Sequence, residues 1–167
     1  MRLFIAINFD PAFVEALIAM QDAIWDAGVD GNYTPEENMH ITLAFIGEYG
    51  DPDRVLAALE RVSLSPFSLS LDGVGAFDGL WWAGLAASGE LEALARRVRH
   101  ALADAAIPFD RKRFSPHITL IRRPSRAAIP AVEVPRAQMT VRRVSLMRSD
   151  RGKNGMIYTE LGGVDAI

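Results

Sequence analysis

The sequence of 167 residues has no cysteine, only three histidines and no long hydrophobic run. The absence of thiols excludes disulfides, cysteine nucleophiles and the thiolate ligands of zinc or iron–sulfur sites. No apolar run approaches the roughly 18–20 residues that span a bilayer, and no cleavable signal peptide is recognisable at the start. We therefore expect a cytoplasmic protein with no membrane partner, in which any imidazole chemistry depends on His40, His100 and His117.

The charge of the chain is unevenly distributed, although its net value is only −3. Residues 1–95 carry a net charge of −12, whereas residues 96–153 carry +11 and contain 15 basic side chains, 13 of them arginine. The guanidinium group of arginine binds phosphate with a planar pair of donors. The pattern indicates a polyanionic partner for the second half, although solvated arginines, or attraction between the two halves, would give the same composition.

A short motif occurs twice, and aligning its two copies also aligns other segments of the two halves of the chain. His-Ile-Thr-Leu begins at His40 and again at His117. When the chain is shifted without gaps so that His40 falls on His117, residues 15–17 also fall on residues 92–94, which share the sequence Glu-Ala-Leu. Internal similarity of this kind indicates two similar lobes more strongly than either motif does alone. The predicted organisation is a single domain, 1–167, with pseudo-repeats at 1–77 and 78–167.

Hydrophobic patterning, together with proline and glycine, predicts alternating strands and helices. Asp10, Asp51 and Ser88 are suited to begin helices, and Gly152 is suited to the turn between the last two strands. Three prolines predict an irregular connection over residues 123–136. The expected fold class is α+β and bilobal, with two mostly antiparallel sheets, helices on their outer faces and a cleft between the lobes. The predicted strands are residues 3–9, 40–47, 67–77, 80–86, 114–121, 139–148 and 156–162, and the predicted helices are residues 12–27, 52–62 and 90–106.

The two motifs combine a buried face with a polar face. Side chains alternate along a strand, so His40 and Thr42 share one face, as do His117 and Thr119. Two such strands related by an approximate two-fold axis can bring two imidazoles together across a groove. Displacement at phosphorus suits this set, because one neutral imidazole accepts a proton while the other, protonated, donates one. Threonine hydroxyls and arginine can bind the phosphate oxygens, so the chemistry requires no metal.

Two other interpretations of the histidines are weaker. Two imidazoles could bind zinc, but a third ligand is needed and no acidic residue repeats with the motif. His100 lies outside the repeat, after Arg96, Arg97 and Arg99 on a predicted helix, and is expected to be a surface or helix-stabilising residue.

Four segments in a fixed order resemble a known family. The paired motifs are similar to those of the 2H phosphoesterases, and the ordered set resembles bacterial and archaeal RNA 2′,3′-cyclic phosphodiesterases, also called 2′-5′ RNA ligases. The resemblance implies a bilobal fold with the active site between the lobes, and no nucleotide cofactor. The supporting segments are residues 2–6, 40–47, 82–85 and 114–122.

The resemblance also implies a reaction and roles for individual residues. A terminal 2′,3′-cyclic phosphate on RNA would be hydrolysed to a 2′-phosphomonoester, and attack by an RNA 5′-hydroxyl would instead form a 2′-5′ linkage. By this resemblance His40 is the proton donor and His117 the proton acceptor, a distinction that the nearly equivalent motifs do not make themselves. Thr42, Thr119 and Arg122 would bind the phosphate.

Strand alternation conflicts with one of these roles. A regular strand places Arg122 on the face opposite His117. Either the strand ends or bulges before Arg122, or Arg123 performs the function.

Other residues are candidates for contact with RNA. The run Arg111, Lys112 and Arg113 precedes the second motif and is expected to guide the RNA backbone, unless it is merely a solvated loop. Trp82 can stack on a base, although core packing would equally explain a tryptophan at Trp82 or Trp81. The expected partner is RNA with a 2′,3′-cyclic phosphate end, such as a tRNA fragment, bound by a monomer. The alternatives are a phosphodiesterase for small cyclic nucleotides or ADP-ribose cyclic phosphate, and a non-catalytic nucleotide- or RNA-binding module.

Overall fold

All residues from Met1 to Ile167 are described in the computed structural model, which contains nine strands, three α-helices and a short 3₁₀ helix. No helix is both long enough and apolar enough to cross a membrane. The strands are β1 (Arg2–Asn8), β2 (Asn32–Tyr33), β3 (His40–Glu48), β4 (Phe67–Phe77), β5 (Leu80–Leu85), β6 (Ile118–Arg122), β7 (Gln138–Val141), β8 (Arg143–Gly152) and β9 (Gly155–Asp165). The α-helices are α1 (Pro11–Asp26), α2 (Pro52–Leu59) and α3 (Gly89–Asp104), and the 3₁₀ helix is Glu36–Asn38.

The helices begin at the predicted capping residues. The Asp51 carboxylate accepts a hydrogen bond from the main-chain N–H of Arg54 at 3.2 Å, and the Ser88 hydroxyl accepts one from Leu91 N–H at 3.1 Å. Asp10 precedes α1 but makes no such bond, so Pro11 at the first helical position is the main local cause of that start.

All three helices end earlier than predicted, α1 by a single residue at Asp26 and the other two by more. After Leu59 the last turn of α2 tightens, because the N–H groups of Arg61 and Val62 bond to carbonyls three residues before them. Helix α3 stops at Asp104 because Ala106 adopts a left-handed conformation with φ of 57°. The helix predictions 52–62 and 90–106 were therefore too long at their C-terminal ends.

The strands form two antiparallel sheets in the orders β3-β1-β8-β9 and β2-β6-β5-β4-β7. This confirms the predicted α+β class. The prediction of one strand over 139–148 was wrong, because the chain leaves one sheet after Val141 and enters the other at Arg143. The prediction of a strand over 114–121 began too early, since Pro116 cannot donate to a ladder and pairing starts at Ile118.

The two halves of the chain exchange elements. The shift that superimposes His40 on His117 maps β1, β3 and β4 onto β5, β6 and β8, so β3-β1-β8 and β6-β5-β4 are equivalent three-stranded orders. Strand β4 nevertheless pairs with strands of the second half, and β8 pairs with β1 of the first. The helices also cross over, because α1 contacts β6 and α3 contacts β3. Each histidine motif is therefore supported by the helix of the other half.

One face of each sheet forms the core and the other remains partly open. In β1, Leu3, Ile5 and Ile7 are fully buried in the main core, which extends across both sheets. Phe4 and Ala6 point to the opposite face and form a small separate apolar cluster there. That opposite face is the one on which the polar side chains of the first motif lie.

Candidate active site

The imidazole of His40 is fixed by two hydrogen bonds and two aromatic rings. Its Nδ1 lies 2.7 Å from the carbonyl oxygen of Asn38, and its Nε2 lies 2.9 Å from the Thr42 hydroxyl. The ring centroids of Phe4 and Tyr158 are 5.0 and 5.3 Å from that of the imidazole. The ring is thus held at the start of β3 with Nε2 beside a hydroxyl group.

The imidazole of His117 is fixed in the equivalent manner. Its Nδ1 lies 2.8 Å from the carbonyl oxygen of Ser115, which corresponds to Asn38 in the repeat. The rings of Phe77 and Trp82 lie 5.0 and 6.4 Å from the imidazole centroid. Although His117 precedes β6 rather than lying within it, this carbonyl gives its ring the same support that the His40 ring has.

These contacts determine which nitrogen is available in each ring. A carbonyl oxygen only accepts, so Nδ1 of His40 and of His117 must carry hydrogen and donate. The Nε2 atom of each neutral imidazole is then unprotonated, and becomes a donor only in the imidazolium form. Both rings are consequently prepared to exchange a proton at Nε2.

Charges of the second motif act on His40. Burial is the largest cause that lowers the pKa of His40, and the positive charges of Arg122 and His117 lower it further. The hydrogen bond to the Asn38 carbonyl acts in the opposite direction and raises the pKa. The charges of Arg122 and His117 therefore reach His40, although His40 begins a strand of one sheet and Arg122 ends a strand of the other.

A bulge in β6 explains how Arg122 reaches the open face. Thr119 and Ile121 pair with consecutive residues of β5, which leaves Leu120 without a partner in that ladder. Leu120 and Ile121 are both fully buried, so the alternation is interrupted and Arg122 returns to the face of Thr119. Arg123 follows in a left-handed conformation with φ of 53°, and its N–H bonds to a carbonyl of the β4–β5 turn.

The two tryptophans of β5 have different surroundings. Trp81 is only 3% exposed and belongs to the main core. Trp82 lies on the other face, where its ring packs against Phe77 at 5.3 Å, covers Gly75 and approaches His117. Its indole N–H has no hydrogen-bond partner. Trp82 rather than Trp81 is therefore the tryptophan adjacent to an imidazole.

The basic segment 111–113 is exposed and follows the edge of the first sheet. Just before it, the N–H of Asp110 bonds to the carbonyl of Phe45 in β3 at 2.8 Å. The Arg111 guanidinium lies 4.7 Å from the Phe109 ring centroid. The segment then continues to His117 within a few residues. These charges are open to solvent on the approach to the second motif.

A polar network lies on the open face of the first sheet, near the end of β1. The Ser145 hydroxyl donates to the Glu160 carboxylate at 2.6 Å, and Arg143 donates to the same oxygen at 2.9 Å. The Ser145 bond is the largest cause that lowers the pKa of Glu160. With Asn8, these side chains line a cavity of about 630 Å³. Because Glu160 is ionised and paired, it is poorly suited to donate a proton.

The remaining histidine and the acidic residues form no cluster that could hold a metal ion. His100 is exposed on α3, as expected from the sequence. No group of three or more histidine, aspartate or glutamate side chains is arranged to hold a metal ion.

Sequence reasoning missed the aromatic residues around the imidazoles. Phe4, Phe77 and Tyr158 lie on strands far apart in the chain, and only the sheet order brings them to His40 or His117. The position of Phe77 directly before an Asp-Gly pair, which favours a turn, was the one available indication for that residue.

Comparisons with known proteins place the whole chain in one family. The family model described as the 2′-5′ RNA ligase superfamily matches residues 12–153. An RNA 2′,3′-cyclic phosphodiesterase of Archaeoglobus fulgidus is 33% identical, with 96% of this chain and 98% of that protein aligned. The crystal structure of Escherichia coli LigT complexed with 3′-AMP has a TM-score of 0.88 at 26% identity, covering 99% of this chain and 97% of that one. TT0787 of Thermus thermophilus has a TM-score of 0.85 at 30% identity, with the same coverage of both chains.

Proposed function

The chain belongs to the 2′-5′ RNA ligase superfamily, and we propose that it hydrolyses the 2′,3′-cyclic phosphate at the end of an RNA to a 2′-phosphomonoester. The observation that carries this proposal is the matched pair of imidazoles. In both rings Nδ1 lies against an equivalent carbonyl, which leaves Nε2 for proton transfer, and the charges of His117 and Arg122 reach His40.

The proposed reaction is a single displacement at phosphorus. His117 Nε2 accepts a proton from water as the water oxygen attacks phosphorus opposite the 3′ oxygen. The bond between phosphorus and the 3′ oxygen breaks, and His40 Nε2 donates its proton to that oxygen. The products are a 2′-phosphate and a 3′-hydroxyl, and the two histidines exchange their protonation states. No step requires a metal ion.

The donor role of His40 depends on the charge of the substrate. Burial and the nearby positive charges lower the pKa of His40, which favours the neutral ring in the free protein. A cyclic phosphodiester carries a negative charge, and its arrival beside the imidazole favours the protonated form. Substrate binding would therefore protonate His40 and prepare it to act as the general acid. The Thr42 hydroxyl, 2.9 Å from Nε2, keeps the ring oriented.

Three side chains are proposed to bind the non-bridging phosphate oxygens. Thr42 and Thr119 occupy equivalent positions, two residues after His40 and His117. Arg122 supplies a permanent positive charge on the same face, where negative charge develops on phosphorus. Support for this set comes from the bulge that turns Arg122 towards the open face.

The rest of the RNA is proposed to follow exposed basic and aromatic groups. The exposed segment of Arg111, Lys112 and Arg113 can accompany the phosphate backbone, and Trp82 can contact the terminal nucleoside beside His117. Both motifs come from one chain, so a monomer contains the complete site. RNA ends such as those of tRNA fragments are suitable substrates, because the proposed contacts recognise phosphates rather than base edges.

Ligation follows from the same geometry with a different nucleophile. If an RNA 5′-hydroxyl replaces water, its oxygen bonds to phosphorus, the 3′ oxygen leaves, and a 2′-5′ linkage results. Proton transfers to His117 and from His40 are unchanged, and no nucleotide cofactor is consumed.

The direct test is incubation with an oligonucleotide that ends in a 2′,3′-cyclic phosphate, in the presence of a chelator. We expect conversion to a 2′-phosphate, identified by its resistance to enzymes that remove only 3′-phosphates. Binding of the oligonucleotide without turnover would instead favour a non-catalytic module. Turnover of small cyclic nucleotides alone would assign a different substrate.

A further inference from the structure

Both motifs contain the same backbone irregularity at the same place. In β3 the residues Thr42 and Ala44 pair with consecutive residues of β1, so Leu43 has no partner, just as Leu120 has none in β6. Leu43 and Leu120 occupy equivalent positions of the repeat, and both side chains are fully buried. Each bulge immediately follows the motif threonine. The repeat has therefore retained a distortion that a regular strand would lack.

The carbonyl of the bulge in β6 is held by a buried side chain of α1. Gln21 is only 8% exposed, and its Nε2 donates to the Leu120 oxygen at 2.9 Å and to the Thr34 oxygen at 2.9 Å. The main-chain N–H of Thr34 also donates to the Leu120 oxygen, at 3.0 Å. The amide of Gln21 thus connects the bulge to the segment beside it.

The carbonyl of the bulge in β3 is held by a side chain of α3. Arg99 Nε donates to the Leu43 oxygen at 3.1 Å, and Arg99 Nη1 donates to the Lys112 oxygen at 2.7 Å. The same guanidinium lies 5.8 Å from the Phe114 ring centroid, on the segment that leads to the second motif. Arg99 therefore joins the first motif to the basic segment.

We propose that Gln21 and Arg99 are positioning residues that hold the bulges of the opposite motifs, and that Gln21 in this way directs Arg122 to the reacting phosphate. The role of Arg122 in this inference rests on the proposed function. Gln21 and Arg99 direct their hydrogen bonds to main-chain carbonyls rather than to the imidazoles, so each acts through the strand that it holds.

The physical reason is competition between a bulged and a regular strand. A regular β6 would alternate strictly and place Arg122 on the core face, opposite Thr119. The Gln21 amide favours the bulged arrangement because it donates to the Leu120 carbonyl. In a regular strand Leu120 would pair with β5, and its carbonyl would lie elsewhere. Loss of this donor removes a buried hydrogen bond and weakens the preference for the bulge.

A double-mutant cycle distinguishes positioning from general support. Gln21→Leu should lower kcat/KM for the cyclic phosphate about tenfold when Arg122 is present, and less than about twofold in the Arg122→Ala background, because residues that act as a unit are not additive. Ile24→Val is the matched control, since Ile24 is buried on the same helix without bonding to β6. The effects of Ile24→Val and Arg122→Ala on kcat/KM should be additive. Additive effects of Gln21→Leu would overturn the proposal.

A second readout does not depend on turnover. The charge of Arg122 lowers the pKa of His40, so Gln21→Leu should raise that pKa in an NMR titration, and should not raise it further in Arg122→Ala. If the wild-type protein fails to hydrolyse the cyclic phosphate while this coupling is present, the proposed function fails and the positioning role stands. An unchanged His40 pKa in Gln21→Leu contradicts the positioning role itself.

The same design applies to the first motif. Arg99→Leu and Thr42→Val should also be non-additive in kcat/KM, and Arg99→Lys should restore part of the loss because it retains a donor. Arg97→Leu is the control, since Arg97 Nε donates to the Ser63 carbonyl at 3.1 Å, away from β3. Equal coupling of Thr42 to Arg97 and Arg99 would refute a specific role for Arg99.

Discussion

Arg122 lies close enough to His40 for its guanidinium charge to lower the pKa of that imidazole, although the two residues are on different sheets. Replacement of Arg122 by glutamine should therefore raise the pKa of His40, because the imidazolium loses a repulsive neighbour. An NMR titration of the histidine ring protons measures this change. In the wild-type protein His40 should titrate below the ordinary value of about 6.5. Arg123→Gln removes the same charge and should leave the pKa of His40 unchanged.

The same pair of variants tests phosphate stabilisation. Arg122→Gln should lower kcat for the cyclic phosphate by about 10²–10³-fold, because a charge aimed at the developing negative charge is lost. Arg123→Gln should have little effect, since β6 ends before that residue. Steady-state kinetics on one oligonucleotide is sufficient. The assignment is reversed if the two variants show the opposite order of activity.

The two motif histidines should be individually essential. His40→Ala and His117→Ala should each lower the rate by about 10²–10⁴-fold, the usual contribution of a general acid or base. His100→Ala is the matched control, because that ring is exposed on α3.

The acid and base roles of His40 and His117 can be separated with a substrate in which sulfur replaces the 3′ oxygen. A thiolate leaves without a proton, so the defect of the variant that lacks the acid should shrink. We expect this rescue for His40→Ala and not for His117→Ala. Rescue of His117→Ala alone would exchange the two assignments.

The basic segment 111–113 should matter for long substrates and not for short ones. Replacement of its three charged side chains by alanine should raise KM for an oligonucleotide about tenfold at low salt and reduce its salt dependence. The value of kcat for a dinucleotide that ends in a cyclic phosphate should not change. A control that removes the exposed charges of Arg61, Arg97 and Arg126 should leave both substrates unaffected. An equal change in KM for both RNA lengths would argue against backbone tracking.

Gly75 should be required because the Trp82 ring covers it. An added Cβ at Gly75 would overlap the indole, so Gly75→Ala should displace Trp82 relative to His117. We expect kcat/KM to fall by up to about 10²-fold, together with a change in tryptophan fluorescence. At Gly89 an added Cβ meets no atom within 4 Å, so Gly89→Ala is the control. A normal rate in Gly75→Ala would show that the position of the indole is unimportant.

The repeat made the motifs and most elements predictable. Duplicated His-Ile-Thr-Leu segments, alternation of buried and open side chains, and caps such as Ser88 are local properties that a sequence displays directly. They led to the α+β class and to strand 67–77 with its observed bounds. The turn predicted at Gly152 lies one residue further on, at Lys153 and Asn154, because Gly152 is the last residue of β8 and pairs with Gly155.

The orientation of Arg122 could not be decided in the same way. Strict alternation along β6 places Arg122 on the wrong face of the sheet. Either a bulge or an early strand end would move Arg122 to the other face, and neither feature has a distinctive amino-acid sequence. The bulge is held by Gln21, which is distant along the chain and reaches β6 only in the folded protein. Similarly, the break at Arg142 depends on which sheet each neighbouring strand joins. Contacts over such distances are decided by packing rather than by local preference.

The crossed helices make the two halves of the molecule mutually dependent. Helix α1 of the first half supports the second histidine strand, and α3 of the second half supports the first. A chain with a single copy of the repeat would leave its own motif without a supporting helix. Two such chains could satisfy each other only by reciprocal donation, as a symmetric pair. In this chain the two halves are joined covalently, so the helix that each motif requires is always present at its strand.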